Sequence, residues 1–128
     1  MPVRTKRWND PVEEGDGLRV LVCRYRPRGL PKKDENWDRW HKELGPSKEL
    51  HADFYGKNGR PPIGWEEYRR RYLAEMEDQQ ELIAELAGLV AGGQMVTLLC
   101  SSACENGLRC HRTLLRELIE RQAVRAGG

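Results

Sequence analysis

Two apolar runs decide what this chain can fold into: Leu18-Arg19-Val20-Leu21-Val22-Cys23-Arg24-Tyr25 and Met95-Val96-Thr97-Leu98-Leu99-Cys100. Both are short, rich in aliphatic and β-branched residues and largely apolar at the centre, the character of a strand covered on both faces. The long, charged, helix-patterned stretch between them is no hairpin. A strand, a long helical crossover, a second strand and a closing helix give a βαβα order, which implies parallel pairing with a right-handed return. The expected fold is α/β: a small, mostly parallel sheet flanked by helices in one three-layer-like domain. At 128 residues the chain is one domain in size, spanning 1–128 with a core over about 3–122 and a short flexible tail over 123–128.

The remaining elements follow from punctuation and spacing. Val3 to Trp8 alternates weakly and reads as an edge strand, and Gly15-Asp16-Gly17 reads as loop. Asp34 is placed to cap a helix carrying Trp37, Trp40, His41 and Leu44 at i, i+3, i+4 and i+7, stopped by Gly45-Pro46. Ser47 caps a second, short helix with Leu50 and Phe54, closed by Gly56. Trp65, Tyr68, Tyr72 and Met76 mark one face of a third helix. Leu82, Ile83, Leu86, Leu89 and Val90 mark a fourth, or the third continued past Asp78, ending at Gly92-Gly93. A last helix begins near Arg109, with Leu114, Leu115, Leu118 and Ile119 facing inward.

Open parallel sheets bind ligands outside the carboxyl ends of their strands. Here those ends empty into two segments, Cys23 to Gly29 and Cys100 to His111, which parallel pairing brings to one edge. The first belongs to a basic run, Leu18 to Lys33, holding Arg19, Arg24, Arg26, Arg28, Lys32 and Lys33 and no acid. With a net charge of only +2 overall, that asymmetry favours one local anion site over a general basic surface. No apolar stretch is long enough to span a bilayer, and the N-terminus lacks the apolar segment of a secretory signal. The four cysteines, two of them in or at the ends of strands, read as free thiols in a reducing cytoplasm.

The segment Arg19 to Leu30 resembles the opening strand and Arg-Pro-Arg-Gly-type turn of the domain of unknown function 488 family. Trp40, Glu43-Leu44, Pro46-Ser47 and Glu49-Leu50 resemble its next segment, and Trp65-Glu66-Glu67-Tyr68 with Arg71-Tyr72 is similar to its helical aromatic signature. Leu98-Leu99-Cys100 followed by Cys110-His111-Arg112 resembles its closing strand and Cys-His-Arg helix start. The likeness runs from about Val3 to Ile119. It implies no particular activity, because the family is uncharacterised.

Cys110-His111-Arg112 sits where a helix begins, and free N–H groups there favour anions. A thiol at that position beside His111 and Arg112 is expected to ionise readily and to serve as nucleophile or redox centre, with Cys110 and His111 the catalytic candidates. The bland reading makes Cys110 a small buried hydrophobe. Tyr25, Arg26, Arg28 and Arg112 are the candidate ligand-binding residues, an anion clamp with a hydroxyl beside it. The alternative is surface arginines paired with helix carboxylates. A zinc set of Cys100, Cys104, Cys110 and His111 has only one short ligand spacing, and adjacent Cys110-His111 do not easily face one ion. No phosphate loop, dinucleotide fingerprint or metalloprotease motif occurs, so no cofactor is identified. The leading expectation is a site for a small anionic ligand, phosphorylated or nucleotide-like, with enzymatic use of the Cys-His-Arg helix start as one reading of it. A nucleic-acid-associated binding module and a structural zinc site are the alternatives.

Overall fold

The computed structural model describes residues 3–27, 29–57, 59–101 and 110–127. Strands β1 (Val3–Arg7), β2 (Leu18–Leu21), β3 (Arg39–Trp40) and β4 (Val96–Cys100) form a sheet in the order β1-β4-β2-β3, every pair parallel. The two apolar runs therefore pair directly, with Val20 opposite Leu98 and Leu21 opposite Leu99, and Val3 to Arg7 lies outside them at the edge. β4 is central and buried along its whole length.

Alternation along the strands divides the molecule into layers. Val3, Val20, Val22, Val96 and Leu98 face the helices α1 (Lys48–Tyr55), α2 (Trp65–Met76), α3 (Gln80–Ala91) and α4 (His111–Gly127), and form one apolar core with Tyr72, Met76, Ile83, Leu86, Leu115 and Ile119. On the other face, Leu21 and Leu99 meet Trp8 and Trp37. On that face the 3-10 turn Glu14–Asp16 meets Arg19 and Thr97 through Asp16. α4 runs to Gly127 with Ala123 fully buried, so packed helix extends past residue 122. Among the described residues, no helix is long and apolar enough to cross a membrane.

Local chemistry explains most of the helices. Ser47 Oγ accepts the Leu50 N–H at 3.1 Å, its own hydroxyl donates to Glu75 at 2.6 Å, and Gly56 closes α1 at φ 69°, the left-handed region that glycine enters without strain. A 3-10 turn, Glu77–Gln79, separates α2 from α3.

The expected helix from Asp34 to Leu44 is not there. Lys32–Asp34 and Lys42–Leu44 are 3-10 turns, and Arg39-Trp40 between them is strand β3. Without β3, the outer edge of β2 would leave buried backbone groups unpaired, which is costly. The segment satisfies them: Asp38 N–H donates to Arg19 O, His41 N–H to Leu21 O, and the Asp38 carboxylate accepts Arg19 N–H. Aromatics at helical spacing were satisfied by a short strand and a turn, so tertiary demand overrode the pattern.

Asp16 ties the sheet at the amino-terminal ends of its strands. It is 1% exposed. Its carboxylate takes Arg4 at 3.1 Å and Lys6 at 2.8 Å from β1 and Arg19 from β2, while its carbonyl accepts the Thr97 hydroxyl of β4 at 2.7 Å. Burial alone would raise its pKa. Lys6, the Glu13 N–H and Arg4 outweigh that and hold it at about 2, against an ordinary 3.8.

A depressed folded pKa means that this stabilisation is complete above the ordinary value and is lost as pH falls toward 2, and the shift corresponds to something on the order of 2 kcal/mol. Asp16→Asn leaves Arg4, Lys6 and Arg19 without their shared anion and should cost about 3 kcal/mol at neutral pH. Urea melts of both proteins should converge as pH is lowered through that window. A gap that does not narrow would show that the Asp16 charge is not the source.

Candidate functional site

A cleft of about 360 Å³ opens at the carboxyl ends of the strands. Its wall includes Cys23 and Tyr25 from the exit of β2, Cys100 and Ser101 from the end of β4, and Cys110 and His111 at the start of α4. α1 contributes His51, Phe54 and Tyr55, α2 contributes Tyr68, and Trp8 comes from the loop after β1. The parallel pairing of β2 with β4 brings these distant segments to one edge.

The exit of β2 is shaped by Gly45. A Cβ there would lie 2.6 Å from Arg24 N and 3.0 Å from Val22 O, so only glycine lets the Lys42–Leu44 turn press against this backbone. The turn is held by the Tyr72 hydroxyl, which donates to Leu44 O at 2.6 Å. Tyr72 is thus committed within the fold, and burial raises its pKa well above the ordinary value.

His111 is held in one tautomer by its neighbours. Its Nε2 lies 2.8 Å from the Val22 carbonyl, which can only accept, so Nε2 carries the proton. In the neutral ring Nδ1 then carries a lone pair, an acceptor, and it lies 3.8 Å from Cys110 Sγ. Cys110 precedes α4, its carbonyl accepting Thr113 N–H at 3.1 Å. Val22 O, the imidazole and the thiol are thus joined in succession from the sheet to the cleft wall.

The mouth is aromatic. The rings of Tyr25 and His51 meet edge-on at 5.5 Å, and His51 lies 4.7 Å from Tyr55. Tyr25 and Tyr55 are about half exposed. Burial and then the Lys57 charge lower the His51 pKa, so its ring is mainly neutral at pH 7. An adjoining, shallower groove is lined by Tyr25, Arg26, Lys48, His51, Ala52 and Lys57, three of them cationic and none acidic.

A family profile described as the active DUF488-N3 subclade matches residues 3–123. The chain belongs to the DUF488 family. It is 37% identical over 117 residues to the uncharacterised protein YeaO of Escherichia coli K12, covering 91% of this chain and 96% of that protein. It is 34% identical over 117 residues to the uncharacterised protein Rv3073c of Mycobacterium tuberculosis H37Rv, covering 91% and 92%. No solved structure gives a significant match.

In this DUF488 chain the cleft gathers four of the sequence candidates, Tyr25, Arg26, Cys110 and His111. Arg26 arrives engaged: it pairs with Glu35 at 2.6 Å, donates to Leu30 O at 2.7 Å and sits 5.9 Å over the Trp37 ring. Arg24 likewise donates to Pro46 O at 3.0 Å. Much of the basic run thus meets oxygens of its own chain. Arg112 is 7% exposed and is not in the cleft wall, and its Nε and Nη1 have no hydrogen-bond partner among the described residues. The Arg7 backbone N–H, then the Arg7 guanidinium and the field of Arg112, hold the Asp10 carboxyl below its usual range, which places Arg112 toward the β1 side. Arg28 and Cys104 lie outside the described residues, so the Arg28–Arg112 pairing and the full zinc set do too. Among the described residues no three His, Cys, Asp or Glu side chains are placed to hold a metal ion.

Sequence reasoning missed Trp8, His51 and Tyr55 as cleft residues. The available signal was His51 and Tyr55 at i, i+4 on α1, a pairing that puts both on one helix face.

Exposure slightly favours Cys23 (8%) over Cys110 (5%). Iodoacetamide at neutral pH should nevertheless label Cys110 first. His111→Gln should slow that labelling about tenfold, because an unassisted thiol is only a few per cent thiolate at pH 7. Peptide mapping by mass spectrometry that finds Cys23 faster, or Cys110 indifferent to His111, would reduce Cys110 to a packed side chain.

Proposed function

We propose that this chain is a small-molecule enzyme with a cysteine nucleophile, acting on a phosphorylated, nucleotide-like ligand. The observation that carries the reading is the Val22–His111–Cys110 succession opening onto an aromatic cleft. A flat ring fits between Tyr25, His51, Tyr55 and Phe54, where stacking favours π-systems. The cationic groove at the mouth, with Lys48, Lys57 and Arg26, suits the phosphate. Buried Arg112 and the start of α4 add positive potential. The description of the matching subclade as active is in keeping with this reading.

The chemistry on offer is attack of the Cys110 sulfur on an electrophilic carbon of the ligand. A carbon–sulfur bond forms as the bond to the departing group breaks. The thiol proton passes to His111 Nδ1 and on to that group.

A nucleoside monophosphate should raise the melting temperature more than the matching nucleoside or inorganic phosphate does. It should also slow Cys110 alkylation. Replacing Lys48 and Lys57 together by alanine should remove the phosphate-dependent part of both effects. If no mononucleotide protects Cys110, the proposal fails. Binding confined to oligonucleotides and falling steeply with salt would instead identify a nucleic-acid module.

A further inference from the structure

Cys110 has a second sulfur beside it. Cys100, the last residue of β4, places its Sγ 3.3 Å from Cys110 Sγ, and both side chains are buried in one small cluster with Leu21, Cys23 and Leu99. A disulfide has an S–S length of about 2.04 Å, so the bond requires an approach of only about 1.3 Å by the two sulfurs. Both residues also line the cleft, which gives a small solute a route to them. The two thiols differ in surroundings. Cys110 faces His111 Nδ1, whereas Cys100 contacts the Ser101 carbonyl at 3.7 Å. Among the described residues, the ring nitrogen able to take a thiol proton lies beside Cys110.

We infer that Cys110 and Cys100 form a reversible dithiol–disulfide couple, in which Cys110 is oxidised by a small hydroperoxide and Cys100 resolves the product. The inference rests on the same activation of Cys110 by His111 as the proposed function, but not on the ligand. In the first step the Cys110 sulfur attacks one peroxide oxygen. A sulfur–oxygen bond forms, the O–O bond breaks, and the departing alkoxide or hydroxide takes the thiol proton by way of His111. In the second, the Cys100 sulfur attacks the sulfenic sulfur of Cys110. The S–S bond forms, the S–O bond breaks, and the hydroxide leaves as water with the Cys100 proton. Two thiols lose two electrons and the hydroperoxide is reduced by two, giving an alcohol (or water) and one water. An external dithiol restores the pair. While oxidised, the cleft has no nucleophile.

The test is peptide mapping of the whole chain after treatment with one equivalent of hydrogen peroxide and quenching with acid. The expected product is a Cys100–Cys110 cross-linked peptide, lighter by two hydrogens and reversed by dithiothreitol. His111→Gln should slow its formation about tenfold, for the same reason as alkylation. Cys100→Ala should yield Cys110 sulfenic acid, trapped by dimedone. Because that variant removes a buried side chain, the wild-type cross-link remains the deciding measurement. A Cys110 that proceeds to sulfinic acid while Cys100 stays alkylatable would overturn the inference, as would cross-linking of Cys110 to Cys104 or Cys23. Cross-linking without any mononucleotide protection would sink the ligand proposal and leave this one standing. Protection without cross-linking would do the reverse.

Discussion

A parallel sheet built from strands distant in sequence has no hairpin turns to fix its register. Here the register is fixed by side chains, and the carboxylate of Asp16 is where three strands meet. Arg4 and Lys6 reach it from β1, Arg19 from β2, and Thr97 of β4 binds its carbonyl. A slip of one residue would turn the cations to the opposite face, because side chains alternate along a strand. It would also drive Val20 and Leu98 out of the helical core. The ion network and the apolar pattern therefore specify the same pairing. A buried ionic cluster is weak evidence for stability in itself, but fixing a register is a use to which such groups are well suited.

That network occupies the amino-terminal ends of the strands and leaves the carboxyl ends to other chemistry. β2 and β4 finish beside each other, and the segments they release are held by short-range devices rather than by ion pairs. Gly45 admits the turn that packs on Val22 to Arg24, Tyr72 fastens that turn, and the Val22 carbonyl orients His111. The tautomer of His111 is thus determined by the sheet. A residue that looked in sequence like one member of a Cys-His-Arg triplet depends on a strand far away in the chain.

What was legible in the sequence was whatever depends on local pattern. The two strands, the Ser47 and Gly56 caps and the faces of α2 and α3 rest on periodicity and capping chemistry, and the structure has them in those places. The segment around Trp37 and Trp40 was misread because its helical spacing is a pattern of side chains, whereas its conformation answers the open edge of β2, which no local signal announces. The arginines show the same divide in the site. Their clustering is visible in the sequence, but their partners Glu35, Leu30 O and Pro46 O are products of the turn. Cys110 and His111 could be singled out because a helix start is a local feature. The His51–Tyr55 spacing marks one face of α1 but not what that face covers, and Trp8 carries no such signal, since the cleft they line exists only once the chain has folded.

Unmet bonding capacity does not follow the same division. Buried polar groups in folded proteins are nearly all hydrogen-bonded, and the exceptions call for a reason. The carboxylate of buried Asp16 is bonded to Arg4, Lys6, Arg19 and the Glu13 N–H. Among the described residues, Arg112, two residues from Cys110, has two buried guanidinium nitrogens without a partner. Arg19, which meets Asp16, likewise has a buried Nη2 without one among the described residues, so unmet bonding occurs at both ends of the same strands. Sequences that specify one structure break local rules chiefly where function requires it. What marks the carboxyl ends of the strands is the cleft itself, with Cys110 and His111 in its wall and their side chains in contact.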